Sequence, residues 1–294
     1  MMAHEITMLL SGVLRQIRLI APYWAIGLLV GSLISVYLAG KISERMLALS
    51  SKGRGLWQIC VASLLGIVSP LCMFGTIPVI AALGKKGLPG FLLAAFMVSS
   101  VMLNPNLLFL TIVLGRNLAL MRFAFCFLGG ALAGVLVLRF CGDTQMFKIQ
   151  RFAAEGPGQA KTLLPDLLKA ARVTAPYLLV GIALTAVLDR YIPPEWIYRM
   201  FGARRGLGVL FATTLSVPLY ACGGGVIPLI NAWLHAGMGR GDALAFMLAG
   251  PATKINSISA VKMILGGRNF LIYLTFCIAF AAAVGLFVEF VLGG

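Results

Sequence analysis

Two segments of this chain carry the same combination of residues. Cys72-Met73-Phe74-Gly75-Thr76-Ile77-Pro78 and Cys222-Gly223-Gly224-Gly225-Val226-Ile227-Pro228 both read C-x-x-G-x-I-P, and they lie 150 residues apart. Each is embedded in an apolar stretch. A thiolate pair suits a soft, thiophilic substrate, whereas a cysteine packed alone is a small, inert hydrophobe. Glycine lets backbone approach a ligand because no Cβ intervenes. Proline lacks an N–H and frees a backbone carbonyl to face a cavity. Cys72, Gly75, Pro78, Cys222, Gly223, Gly224, Gly225 and Pro228 therefore read as two contributions to one substrate-binding surface.

A second set of polar residues lies close to interruptions of apolar runs. Asn104 and Asn106 flank Pro105, and Thr253, Lys254 and Asn256 follow Gly250-Pro251. A charge at membrane depth costs a few kcal/mol on insertion scales and is rarely incidental. Lys254 is thus expected to face the protein interior and to serve an anionic substrate or half-helix carbonyls, the alternative being a lysine that snorkels to the interface. Asn104 and Asn106 can cap a half-helix, contact substrate or bond between helices. His235, beside the Ala236-Gly237 turn, reads as a loop or lipid-facing residue. No phosphate-binding loop, H-E-x-x-H motif or dinucleotide fingerprint occurs. The reading is of a protein that is not an enzyme and uses no cofactor and no metal.

The elements that must position these residues recur. Ala21-Pro22-Tyr23 returns as Ala175-Pro176-Tyr177, Ala95-Phe96-Met97 as Ala245-Phe246-Met247, and Gly115-Arg116-Asn117 as Gly267-Arg268-Asn269. Ordered matches of Cys, Pro, Gly and Asn with small indels indicate a tandem duplication. The expected organisation is a first membrane repeat over 1–142, a linker over 143–165 and a second membrane repeat over 166–294. Apolar stretches at 17–38, 56–84, 88–114 and 117–138 correspond to 174–193, 206–235, 241–265 and 270–292. About 20 apolar residues cross a bilayer, so the fold class is an all-α polytopic membrane protein: two tandem homologous halves, about eight transmembrane segments, with broken helices. The breaks are placed at Ser69-Pro70 through Pro78, at Asn104-Pro105-Asn106, at Pro218 through Pro228 and at Gly250-Pro251. The two halves, about 14–142 and 166–294, should superpose through one rotation. Lys and Arg occur in nearly every loop, so the positive-inside rule assigns no orientation.

Composition sets the same frame. The 294 residues are 60% hydrophobic and 11% charged, with mean hydropathy +0.98, against about 25% charged in soluble domains. The net charge of +15 lies in short gaps such as Lys41, Arg45, Lys52 and Arg54. No basic face interleaved with aromatics supports nucleic acid, so the expected partners are membrane lipids, with no nucleic acid. Most of the six cysteines lie in apolar runs, which argues against a disulfide framework. No cleavable signal peptide is evident, and the first span itself can direct insertion.

On Pro70-Leu71-Cys72 through Pro78, Gly87, Asn104-Pro105, Val217-Pro218-Leu219-Tyr220-Ala221-Cys222 and Leu248-Ala249-Gly250-Pro251-Ala252-Thr253 the chain resembles a family of predicted permeases that includes trivalent organoarsenical efflux permeases. The resemblance covers nearly the whole chain in order. It implies an inner-membrane permease of about eight spans. The family's first motif often reads Cys-x-Cys-Gly; here Phe74 occupies the second cysteine position. The functional expectation is a secondary transporter of a small-molecule substrate in the bacterial inner membrane. It would act in efflux, with an organoarsenical or other thiophilic compound as the example substrate, by alternating access around the paired breaks. A coupling ion (H+ or Na+) and a homo-oligomer are compatible with this reading. The alternatives are an intramembrane enzyme and an accessory membrane subunit.

Overall fold

The computed structural model describes residues 55–69, 71, 73–85, 87–140, 147, 206–220 and 223–291, with isolated positions elsewhere. The expected spans at 17–38 and 174–193, and most of the linker, lie outside the described residues. So do Cys72 and Cys222.

Nine helices are described. The first group comprises α1 (Leu56–Val68), α2 (Met73–Lys85), α3 (Gly90–Met102), α4 (Pro105–Ile112) and α5 (Arg116–Phe140). The second comprises α6 (Leu207–Leu219), α7 (Gly223–His235), α8 (Arg240–Thr253) and α9 (Ile255–Val291). α9 bends at Gly266 (φ 76, ψ 171), so it is two helices in sequence. Gly115, between α4 and α5, likewise has positive φ (122). The sequence match pairs Gly115 with Gly267, but the backbone shares its left-handed glycine between Gly115 and Gly266, one residue earlier.

α3 and α8 are the centre. Every residue of α3 is buried, and so is every residue of α8 after Arg240. A helix apolar on all sides belongs in a core. α3 packs between α1 and α5, α8 packs between α6 and α9, and α3 and α8 touch each other. The outer faces of α5 and α9 are apolar and exposed, with Leu120, Leu128, Leu132, Phe140, Leu271, Phe287 and Phe290 facing outward. An apolar outer face on a 25-residue helix such as α5, about 37 Å long at 1.5 Å per residue, fits the hydrocarbon thickness of a bilayer. Among the described residues, Gly90–Ile112, Arg116–Phe140 and Ile264–Val291 are long and apolar enough to cross it. The protein is an all-helical integral membrane protein.

Small residues set the closeness of packing, as membrane helices require. A Cβ on Gly134 would lie 2.6 Å from Ile59, 3.0 Å from Ala95 Cβ and 3.1 Å from the Phe91 carbonyl. A Cβ on Gly285 would lie 2.7 Å from Val209, 2.8 Å from Ala245 Cβ and 2.9 Å from the Gly241 carbonyl. The two glycines thus occupy the same junction, α1/α3/α5 in one group and α6/α8/α9 in the other. The two groups meet through Gly129 of α5, against Phe280 of α9, and through the edge-to-face pair of Phe125 and Phe287 at 6.2 Å.

α2 and α7 end alike. Leu88 N–H donates to the Leu83 carbonyl (3.2 Å) and Gly87 N–H to Gly84 (3.0 Å). Met238 N–H donates to Trp233 (2.9 Å) and Gly237 N–H to Leu234 (3.2 Å). These are Schellman caps with a left-handed glycine, Gly87 (φ 84) or Gly237 (φ 100). Nothing stands within 4 Å of a Cβ built on Gly87, so Gly87→Ala isolates the backbone cost. It should lower stability by about 1 kcal/mol, read as a lower thermal midpoint in detergent. An unchanged midpoint would show that this cap is not needed.

Three break positions differ from the sequence expectation. α2 begins at Met73 and runs through Pro78, and α7 begins at Gly223 and runs through Pro228. The interruptions are therefore the short stretches between Val68 and Met73 and between Leu219 and Gly223. Each proline costs one intrahelical bond, a loss membrane helices tolerate when neighbours surround it. α8 likewise continues through Gly250 and Pro251 and ends at Thr253, with Lys254 extended (φ −58, ψ 132). What compensates Pro251 is found on α5.

Candidate functional site

The interruption between α3 and α4 is closed by Asn104. Its Oδ1 accepts from Leu107 N–H at 2.9 Å, and Pro105 fills the first helical position. This is an N-cap of the preferred type. Asn106 is the second residue of α4, half-buried, and its Oδ1 has no hydrogen-bond partner. In the second group Lys254 stands where Asn104 stands in the first, between the end of one helix and the start of the next. Asn256 is the second residue of α9, as Asn106 is of α4. Thr253 is buried at the end of α8 and its hydroxyl donates to the Ala249 carbonyl at 2.9 Å.

The last carbonyls of α3 and α8 have no intrahelical donor, and each attracts a side chain from a long helix. Arg122 of α5, fully buried, donates from Nη2 to the Met102 carbonyl at 3.5 Å. The Tyr273 hydroxyl of α9, also buried, donates to the Ala252 carbonyl at 3.3 Å. Cys126 and Cys277 follow one turn later, buried against Arg122 and Tyr273 respectively. The break after α3 thus carries its cation on the neighbouring helix, and the break after α8 carries its cation, Lys254, at the cap. A cation at a helix C-terminus is favoured by the helix dipole.

Arg122 also reaches the other group. Nη2 donates to the Met247 carbonyl at 3.1 Å, and Nη1 to Thr111 Oγ1 at 2.6 Å and to Met247 Sδ at 3.6 Å. Met247 is four residues before Pro251, so its carbonyl is the one that Pro251, lacking an N–H, leaves unpaired. The guanidinium supplies the missing donor, and α8 stays helical. Sequence reasoning missed Arg122 and treated 117–138 as a clean span. The signal was present: a charge inside an apolar run is itself a functional pointer.

The remaining expected residues are distributed as follows. Gly75 and Pro78 are the third and sixth residues of α2. Gly223, Gly224 and Gly225 open α7, and Pro228, its sixth residue, is buried. α2 packs against α9, and α7 packs against α4. The helix beginning at Met73 in the first group is therefore paired with the helix that starts after Lys254 in the second. The helix beginning with three glycines is paired with the one capped by Asn104. Gly250 makes room for the Tyr220 ring, whose Cγ would be 2.5 Å from a Cβ at that position. His235 is exposed as the last residue of α7.

The model of a family described as predicted permeases matches residues 6–290. The chain belongs to this family. The permease is 23% identical over 286 residues to UPF0718 protein YcgR of Bacillus subtilis, covering 91% of this chain and 92% of that one. It is 25% identical over 254 residues, 82% of this chain and 81% of that one, to a Streptococcus mutans protein named "Putative two-component membrane permease complex subunit". UPF0718 protein MJ0584 of Methanocaldococcus jannaschii is 27% identical over 127 residues, 43% of this chain and 35% of that protein. No solved structure matches. A family of predicted permeases implies a membrane transporter with a small-molecule substrate.

Proposed function

We propose that the permease is a secondary transporter built from two homologous halves, 1–142 and 166–294, joined by the linker 143–165. It moves a small solute by alternating access, in the efflux direction, across a bacterial inner membrane. The observation that carries this reading is that each helix following a break reaches the other group, α2 touching α9 and α7 touching α4, while it also packs on α3 or α8 of its own group. Interrupted helices at matching positions of two repeats are the pattern around which transporters place substrate. The paired glycine junctions at Gly134 and Gly285 and the paired Schellman caps support the duplication. Around these contacts between the groups the binding surface would draw on Cys72, Gly75, Pro78, Asn104, Asn106, Cys222, Gly223, Gly224, Gly225, Pro228, Thr253, Lys254 and Asn256. A thiophilic solute such as a trivalent organoarsenical would engage the two cysteines. Coupling to H+ or Na+ and assembly as a homo-oligomer are compatible with this scheme. The name of the streptococcal relative favours a second reading, a membrane subunit that works with another protein; co-purification of a stoichiometric second chain from native membranes would establish it.

The test is flux into proteoliposomes of a trivalent phenylarsenical beside a solute without affinity for thiols. Cys72→Ser and Cys222→Ser should each cut the arsenical flux by about tenfold, the loss of one soft ligand, and leave the second solute unchanged. Cys60→Ala, a half-buried cysteine of α1, should match the parent. If both serine variants carry the arsenical normally, the cysteines are packing residues. If the parent carries neither solute better than empty liposomes, the transport reading falls.

A further inference from the structure

Arg122 is a full positive charge with zero exposure. Among the described residues its partners are Thr111 Oγ1, Met247 Sδ, the carbonyls of Met102 and Met247, and the buried Cys126 thiol one turn along α5; no carboxylate is among them. Thr111 Oγ1 accepts from Nη1 while its own hydroxyl proton goes to the Leu107 carbonyl at 2.6 Å. Arg122 Nε has no acceptor at all. A guanidinium presents five donors in a rigid fork matched to paired anionic oxygens, and here part of that fork is idle. Buried charges are ordinarily paired. Asp242, in the first turn of α8, and Glu289 of α9 are the acidic residues described in the second group, and neither is among the bonding partners of Arg122.

The bond to Met247 adds a constraint. It crosses from α5 to α8, between the two groups, onto a carbonyl that is available only because residue 251 is proline. Resting on the alternating-access reading above, any rocking of one half against the other withdraws this acceptor. A buried guanidinium losing its best carbonyl needs a replacement, and the neighbouring carbonyls in the body of α8, before its last turn, are engaged along the helix.

We propose that the solute carries a negative charge on paired oxygens, a carboxylate or an inorganic oxyanion, and that Arg122 is the residue that binds it. The Met247 carbonyl then occupies the anion's place in the conformation described here. Pro251 is part of the site, because it keeps that carbonyl unbonded and exchangeable. Thr111, at 2.6 Å from Nη1, orients the fork. The proposal concerns charge and oxygen geometry and is independent of whether the cysteines take part.

The test uses the purified full chain in nanodiscs, with thermal unfolding followed in sodium sulfate, sodium phosphate and sodium acetate against sodium chloride at equal ionic strength. At least one of the three should raise the midpoint saturably. Arg122→Gln should weaken that anion's half-saturation by about tenfold or more, the loss of a charge-assisted contact, and Arg122→Lys should fall between. Acetate acting alone points to carboxylates, and sulfate or phosphate acting alone points to inorganic oxyanions. Should Arg122→Gln fail to fold, Pro251→Ala decides: its restored N–H competes for the Met247 carbonyl, so the anion should bind several-fold tighter. No saturable shift in the parent, equal affinity in Arg122→Gln, or unchanged affinity in Pro251→Ala each overturns the proposal. Flux separates it from the transport reading. If parent and Arg122→Gln carry the neutral phenylarsenical alike, transport stands and the anionic class is lost. If the anion binds but no solute moves, binding stands and transport is lost.

Discussion

Gly134→Leu and Gly285→Leu should each leave little folded protein. Both glycines sit where three helices meet, and the atoms that a Cβ would strike are hard to move. At Gly134 they are the Ile59 side chain, Ala95 Cβ and the Phe91 carbonyl; at Gly285 they are Val209, Ala245 Cβ and the Gly241 carbonyl. Two of the three at each site are on the buried central helix α3 or α8, and one of those is backbone. Alanine alone would push these helices apart by several tenths of an ångström, and leucine adds three more carbons. Overpacking of a tight core costs about 1–3 kcal/mol, and more when backbone must shift. In hydrocarbon the loss is sharper, since close packing rather than water drives helix association. Both leucine variants should elute as aggregate and melt well below the parent, whereas Leu132→Ala on the lipid face of α5, 41% exposed, should behave normally. The proposed duplication adds a condition: the two losses should be of similar size. A Gly134→Leu protein with the parent's melting point would show that the junction is loose, and sharply unequal losses would count against two equivalent halves.

How far the sequence foretold this arrangement depends on whether a feature is local. The turn at Ala236-Gly237, Asn104 as a cap and the long span of α5 are short-range patterns, and each is where the residues imply. The outer limits of the breaks were less readable. Proline was taken to end a helix at Pro78, Pro228 and Pro251, yet each of these lies within one. The reason is tertiary. Pro251 costs the helix a donor to Met247, and the donor is replaced by Arg122, 125 residues away in the chain. No window of sequence contains both partners. The same holds for the contacts of α2 with α9 and of α7 with α4, which follow from packing and not from periodicity. Arg122 itself was visible as a charge among Leu, Ala, Met and Phe, but the neighbouring apolar residues masked it when the segment was judged by its average.

Lys254→Met should abolish transport without unfolding the protein. Lys254 follows the last residue of α8 and precedes α9, in the position that Asn104 fills between α3 and α4. It is half-buried, and the residues before it are occupied: Thr253 bonds Ala249, and the Ala252 carbonyl takes the Tyr273 hydroxyl. As the C-cap of α8, Lys254 carries its charge at a helix C-terminus, where the helix dipole favours a cation by about 0.3–1 kcal/mol. Methionine keeps the length and most of the apolar stem, so packing should survive and the melting point should fall by no more than that dipole term implies. What methionine cannot do is hold a charge. Arg122 serves the break after α3 and Lys254 the break after α8, so removing Lys254 leaves one of the two interrupted helices without its cation while the other is intact. Flux in proteoliposomes should drop to the level of empty liposomes in Lys254→Met and recover in part in Lys254→Arg, with both variants eluting as the parent does. Parent-level flux in the methionine variant would reduce Lys254 to an interfacial anchor. A methionine variant that aggregates would instead make the charge a requirement of folding, and the asymmetric placing of the two cations would then be a matter of stability rather than of transport.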